Sequence, residues 1–71
     1  MSIGFADEAV EQYRARIQKM SDERLIREGE AARYMSDPRI QREVRPVFVM
    51  QLGECIREWH RRHPKPTEDQ N

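Results

Sequence analysis

The sequence predicts a small all-α domain, a bundle of three main helices with a short helical segment ahead of the last. Two observations carry this. Apolar residues recur at three- and four-residue spacing along three stretches. Those stretches are punctuated by Ser21-Asp22-Glu23, Ser36-Asp37-Pro38 and Pro46, which read as helix starts and stops. The β-branched run Val47, Val49 admits a strand locally, but the helical period continues through Trp59 and outweighs it.

The first helix is expected over 6–20, with Ala6, Ala9, Val10, Tyr13, Ile17 and Met20 on its inner face and residues 1–5 as an arm. Asp7, Glu8 and Glu11 lie near its start and Arg14, Arg16 and Lys19 near its end, the polarity that the helix dipole favours. Glu11 is also spaced to meet Arg14 on the surface. No Gly or Pro follows, so one long helix to Tyr34 has to be considered. Continuing the apolar stripe past Met20 calls for apolar residues near 24, 27, 28 and 31, yet Arg24, Arg27 and Glu28 stand there and only Ala31 complies. The stripe breaks phase, and Ser21 followed by two acids is an N-cap, so a corner belongs at Met20-Ser21.

The second helix then runs to about Tyr34, with Leu25, Ile26, Gly29, Ala32 and Met35 facing inward. Gly29 costs about 1 kcal/mol relative to Ala in a helix interior, which is explained either by close approach of another helix or by a weak spot. Asp37-Pro38 restarts the chain as a short turn-and-a-half carrying Ile40 and Val44, with Arg39, Arg42 and Glu43 outward. Pro46 ends that segment and opens the main helix, expected to reach Arg62. Its core seam is Phe48, Leu52, Cys55, Ile56, Trp59 and His63. Val47, Val49 and Met50 fall off the seam, so the first turn is apolar nearly all round and is the expected interface. The domain is expected over 1–63, with 64–71, two prolines and no large apolar residue, as a disordered tail.

A chain of 71 residues buries a core that roughly balances conformational entropy, so association is expected. Thirteen basic residues match thirteen acidic ones, which removes long-range attraction to nucleic acid or an anionic membrane as the default. Only two of the thirteen, Lys19 and Lys65, are lysines, and excess Arg suits bidentate pairing with carboxylates. One cysteine, Cys55, forms no internal disulfide, and no apolar stretch is long enough for a signal peptide or a membrane span. The expected setting is a reducing compartment, cytoplasm or nucleus.

Cys55, His60 and His63 raise the question of a metal, yet His60 lies well round the helix from Cys55 and no second cluster completes a tetrahedron. Cys55 as a nucleophile would need a base from another element, and both histidines share its helix. The acidic pairs at Asp7-Glu8 and Asp22-Glu23 suit helix starts, and no phosphate loop or nucleophile elbow is present. No catalytic residue, cofactor or metal is therefore expected. Arg39, Arg42 and Arg45, with Arg57, Arg61 and Arg62, form the alternative reading as a nucleic-acid surface. The segment between Pro38 and Pro46 is short for a recognition helix, and cations at a helix C-terminus answer its dipole. Trp59 suits a partner anchor as well as a core, and its phase with Phe48, Leu52 and Ile56 favours the core.

The runs Tyr13-Arg14-Ala15-Arg16-Ile17-Gln18-Lys19-Met20-Ser21-Asp22-Glu23, Leu25-Ile26-Arg27-Glu28-Gly29, Pro46-Val47-Phe48-Val49, Gln51-Leu52 and Glu58-Trp59-His60-Arg61-Arg62-His63-Pro64 resemble a group of short, uncharacterised proteins of filamentous fungi. The resemblance covers most of the chain and is weakest over 35–45. It implies a eukaryotic, intracellular setting and carries over no activity and no site residues. The expectation is thus a non-catalytic interaction module that pairs with itself, with a subunit role beside another protein as a further alternative.

Overall fold

The computed structural model describes residues 7–64. They form three helices, α1 Asp7–Gln18, α2 Asp22–Met35 and α3 Pro46–Arg62, and no strand. The expected arm over 1–5 and the tail, apart from Pro64, lie outside the described residues.

Each boundary has a local cause. Ser21 sits in extended backbone and its hydroxyl accepts the Arg24 N–H at 3.1 Å, which caps α2 and fixes the corner after α1. At the other end, the Ser36 N–H turns back onto the Ala32 and Arg33 carbonyls. Pro46 occupies the first turn of α3, where its missing N–H costs nothing. α3 ends at Arg62, as its sequence pattern indicates, with the His63 N–H still bonded to the Trp59 carbonyl at 2.9 Å.

The short helical segment is shorter than expected. One turn forms, closed by the Ile40 and Gln41 N–H groups on the Asp37 carbonyl, and the chain then crosses to Pro46 without helix. Competing local bonds account for this. The Asp37 carboxylate accepts both the Arg39 N–H and its guanidinium, and the Gln41 side chain donates to the Tyr34 carbonyl. Pro46 further biases Arg45 to the extended backbone that it adopts. Ile40 is consequently exposed.

α2 runs antiparallel to α3 and makes the larger contact with it, while α1 lies along another side of α3. The core is Tyr13 and Ile17 of α1, Leu25 of α2 and Cys55 of α3, with Met20, Met50 and Trp59 packed against it. Ala32 is buried as well. At Gly29 a Cβ would lie 3.5 Å from the Cys55 Cβ, an ordinary contact distance, so α2 and α3 pack there without requiring glycine.

The seam of α3 is turned from its expected position. Cys55 is its buried centre, but Ile56 is 42% exposed and Glu58 is 3% exposed. Apolar periodicity alone places Ile56 inside and Glu58 outside. The charge on Glu58 is covered by two arginine side chains that satisfy it, Arg62 largely buried and Arg61 mostly exposed. Glu58 Oε2 accepts from Arg62 Nε and Arg61 Nη2, both at 2.7 Å.

Candidate functional site

The rotation of α3 leaves an apolar face uncovered. Between α2 and α3 lies an open groove of about 370 Å³, lined by Leu25, Ile26 and Gly29 on one wall and Leu52, Cys55, Ile56 and Trp59 on the other. Glu30, Arg33 and His60 stand around it. Ile26 is 44% exposed and Val49, on the same side of α3 as Ile56, is 52% exposed. Exposed apolar residues gathered beside a groove are the kind of surface that marks contacts on small domains.

The expected interface residues divide. Val49 is exposed, Val47 is half-buried, and Met50 packs against the core. Of the expected seam, Cys55 is buried, Trp59 is half-buried between core and groove, Phe48 and Leu52 are half-buried, and Ile56 belongs to the open face. The Trp59 ring packs against the His63 ring, centroids 4.1 Å apart. Tyr34, near the end of α2, is exposed.

Behind the groove floor the polar groups are satisfied. The Tyr13 hydroxyl donates to Glu28 Oε2 at 2.8 Å and lies 3.5 Å from Cys55 Sγ. Its one proton is committed to Glu28, so the thiol is the donor in the second contact. Burial pushes the Tyr13 hydroxyl well above its ordinary range, and burial likewise raises the Cys55 thiol. Cys55 is thus held as a neutral thiol, the less nucleophilic form. Among the described residues no buried side-chain nitrogen or oxygen lacks a partner. Nor do three or more His, Cys, Asp or Glu residues among them come together as metal ligands.

Half of the arginines of the alternative nucleic-acid surface are engaged within the chain. Arg39 binds Asp37, Arg61 binds Glu58, and Arg62 binds Glu58 and Asp22. Arg62 also donates from Nη2 to the Ile17, Gln18 and Met20 carbonyls at 3.1, 3.3 and 2.8 Å, closing the C-terminal end of α1 from another helix. Asp22 is held below its usual range first by that Arg62 bond and also accepts or meets His63 Nε2 at 3.0 Å. Arg42, Arg45 and Arg57 take no ion-pair partner among the described residues, and they are divided between the crossing segment and α3. Arg14 reaches Glu54 of α3 at 2.8 Å instead of its helix neighbour Glu11.

No helix among the described residues is long and apolar enough to cross a membrane. Comparison with protein-family models, curated proteins and solved structures gives no match.

Proposed function

We propose that this chain is a small, non-catalytic helical interaction module that associates with a second copy of itself through the open face of α2 and α3. The single observation that carries the reading is the contrast between its core and its surface. The core cluster holds four buried residues, whereas Ile26 and Ile56 lie exposed on the walls of an apolar groove and Val49 is exposed on the same side of α3 as Ile56. A domain this small gains stability by covering such a face, and a formal charge of zero offers no net repulsion between copies. A reducing intracellular compartment, cytoplasm or nucleus, suits its one free, buried thiol, and the likeness to short fungal proteins supports a eukaryotic setting.

Absolute mass by light scattering, taken over a wide concentration range, tests this. A mass twice the 8.5 kDa of one chain, falling toward 8.5 kDa for Val49→Glu with helicity retained, is the expected result. A folded particle of 8.5 kDa at every concentration overturns self-association and makes a different protein the occupant of the face.

A further inference from the structure

We propose that Arg62 is a latch that keeps the chain bent between α1 and α2, and that its release lets residues 7–35 run as one helix whose α1 half docks on a second copy. Nothing intrinsic to the corner demands a bend. Lys19, Met20 and Ser21 include no Gly or Pro, and Ser21 has a φ of −68°, already helical, so only its ψ of 167° departs from a helix. In a continuous helix the Ser21, Asp22 and Arg24 N–H groups would bond the Ile17, Gln18 and Met20 carbonyls. Arg62 Nη2 sits on those same three carbonyls, and the Ser21 hydroxyl takes the Arg24 N–H. Arg62 Nη1 also holds the Asp22 carboxylate at 2.9 Å. One guanidinium and one hydroxyl thus stand in for the bonds that would straighten the chain.

Straightening lifts α1 from its own α3 and uncovers a seat already shaped for it. The seat is Leu25, Glu28, Glu54 and Cys55, which meet Ile17, Tyr13 and Arg14 in the closed chain. Its occupant is the α1 of a second copy, because an identical helix restores every one of those contacts. The Tyr13–Glu28 bond and the Arg14–Glu54 pair, both at 2.8 Å, re-form between chains. Short hinges between packed elements invite this exchange. It is separate from pairing through the open face, which leaves each α1 on its own α3.

Two latch variants test this, both carrying Val49→Glu to disrupt pairing through the open face. Arg62→Met with Ser21→Ala removes both stand-ins and leaves the strongest helix former at the hinge. Arg62→Met with Ser21→Gly also frees the guanidinium's carbonyls but disfavours a continuous helix. With rising concentration the alanine variant is expected to reach twice 8.5 kDa by light scattering, with a dissociation constant at least about tenfold below that of the glycine variant. Equal constants overturn the latch. Isotope-labelled and unlabelled chains, unfolded together and refolded, then show where α1 sits. Exchange puts the nuclear Overhauser contacts from Tyr13 to Cys55 between chains. A dimer that keeps them within one chain overturns the exchange. So does a folded monomer at every concentration, and the mass of the unaltered chain still judges the open face separately. If Arg62→Met fails to fold, Ser21→Ala and Ser21→Gly beside the native Arg62 carry the same comparison, and equal constants overturn the proposal there too.

Discussion

Arg62 and Glu58, one helical turn apart on α3, form an inward-facing pair at 2.7 Å that ties all three helices together. The carboxylate is buried at 3% exposure, and the guanidinium passes over it to the carbonyls that end α1 and to Asp22 at the start of α2. A buried charge is tolerated only when its bonds are met, and here the groups that meet them also close a helix end. The corner between α1 and α2, capped locally by Ser21, is therefore also held from α3.

Removing Arg62 strands several partners together, whereas removing Arg61 leaves Glu58 with its other arginine. Arg62→Met is accordingly expected to lower the thermal midpoint by several degrees more than Arg61→Met does, and to loosen the α1 C-terminus. Thermal unfolding followed by circular dichroism, with amide exchange at Lys19 and Met20, checks both. Equal losses for the two variants would show that the carbonyl contacts contribute nothing.

Acid exposes the same pair. Hydrogen bonds from Arg61, then from Arg62, hold the Glu58 carboxyl at about 2 against an ordinary 4.5, even though burial opposes this. The unfolded chain therefore binds the extra proton first as pH falls. The contribution of Glu58 is fully present above about 4.5 and is lost as pH drops toward about 2. Glu58→Gln should flatten the acid limb of stability over that window while lowering stability at neutral pH. Asp22 and Glu54, also lowered by their arginine partners, leave a residual slope. Urea midpoints measured from pH 2 to 7 read the difference, and parallel limbs for the two proteins would refute it.

The Ser21 hydroxyl satisfies one of the N–H groups that α2 cannot bond internally. Ser21→Ala is expected to cost about 1 kcal/mol, and Ser21→Gly only a few tenths. Urea unfolding at neutral pH measures both. A loss from Ser21→Ala no larger than from Ser21→Gly would mean that the corner is held by Arg62 alone.

Helix limits were legible because their causes are local: Ser21 as a cap, Pro46 as a first-turn residue and the phase break after Met20 are visible in sequence. The burial of Glu58 was not. Its spacing to Arg61 and Arg62 is plain in the sequence, but whether such a cluster faces water or the interior depends on the α1 carbonyls that Arg62 reaches, more than forty residues away. With Glu58 and Arg62 turned to these carbonyls, Ile56 lies outward, and the candidate face is the groove beside α2 rather than the first turn of α3. Charge in the sequence likewise does not reveal which arginines are already paired, as Arg39 is with Asp37 and Arg61 and Arg62 are with Glu58. Gly29 was legible as a question, and the 3.5 Å from its Cβ position to Cys55 shows that packing does not demand glycine there.

Both helical glycines leave room for a methyl. With open space at its Cβ, Gly53→Ala is expected to stabilise the chain by about 0.5–1 kcal/mol, measured by unfolding of the dilute protein. Gly29→Ala is expected to gain at least as much, because its Cβ adds an ordinary contact with Cys55 at 3.5 Å. A loss of stability at Gly29 would contradict this.

Core and face can be separated by truncating one isoleucine from each. Ile17 is fully buried at 0% exposure, touches no groove, and packs with Tyr13, Leu25 and Cys55. Ile17→Ala should cost about 2–5 kcal/mol, from lost transfer energy and the cavity left behind, at any protein concentration. Ile26, 44% exposed on the groove wall, has much less to lose within one chain. Ile26→Ala is expected to change unfolding of the dilute protein by no more than about 0.5 kcal/mol. Its effect should appear with concentration, as a weaker rise of thermal midpoint and of mass than the unaltered chain shows, because mass action stabilises only what the folded partner binds. If Ile26→Ala instead destabilises the dilute chain as much as Ile17→Ala, the groove wall is part of the core and the open face is not an interface.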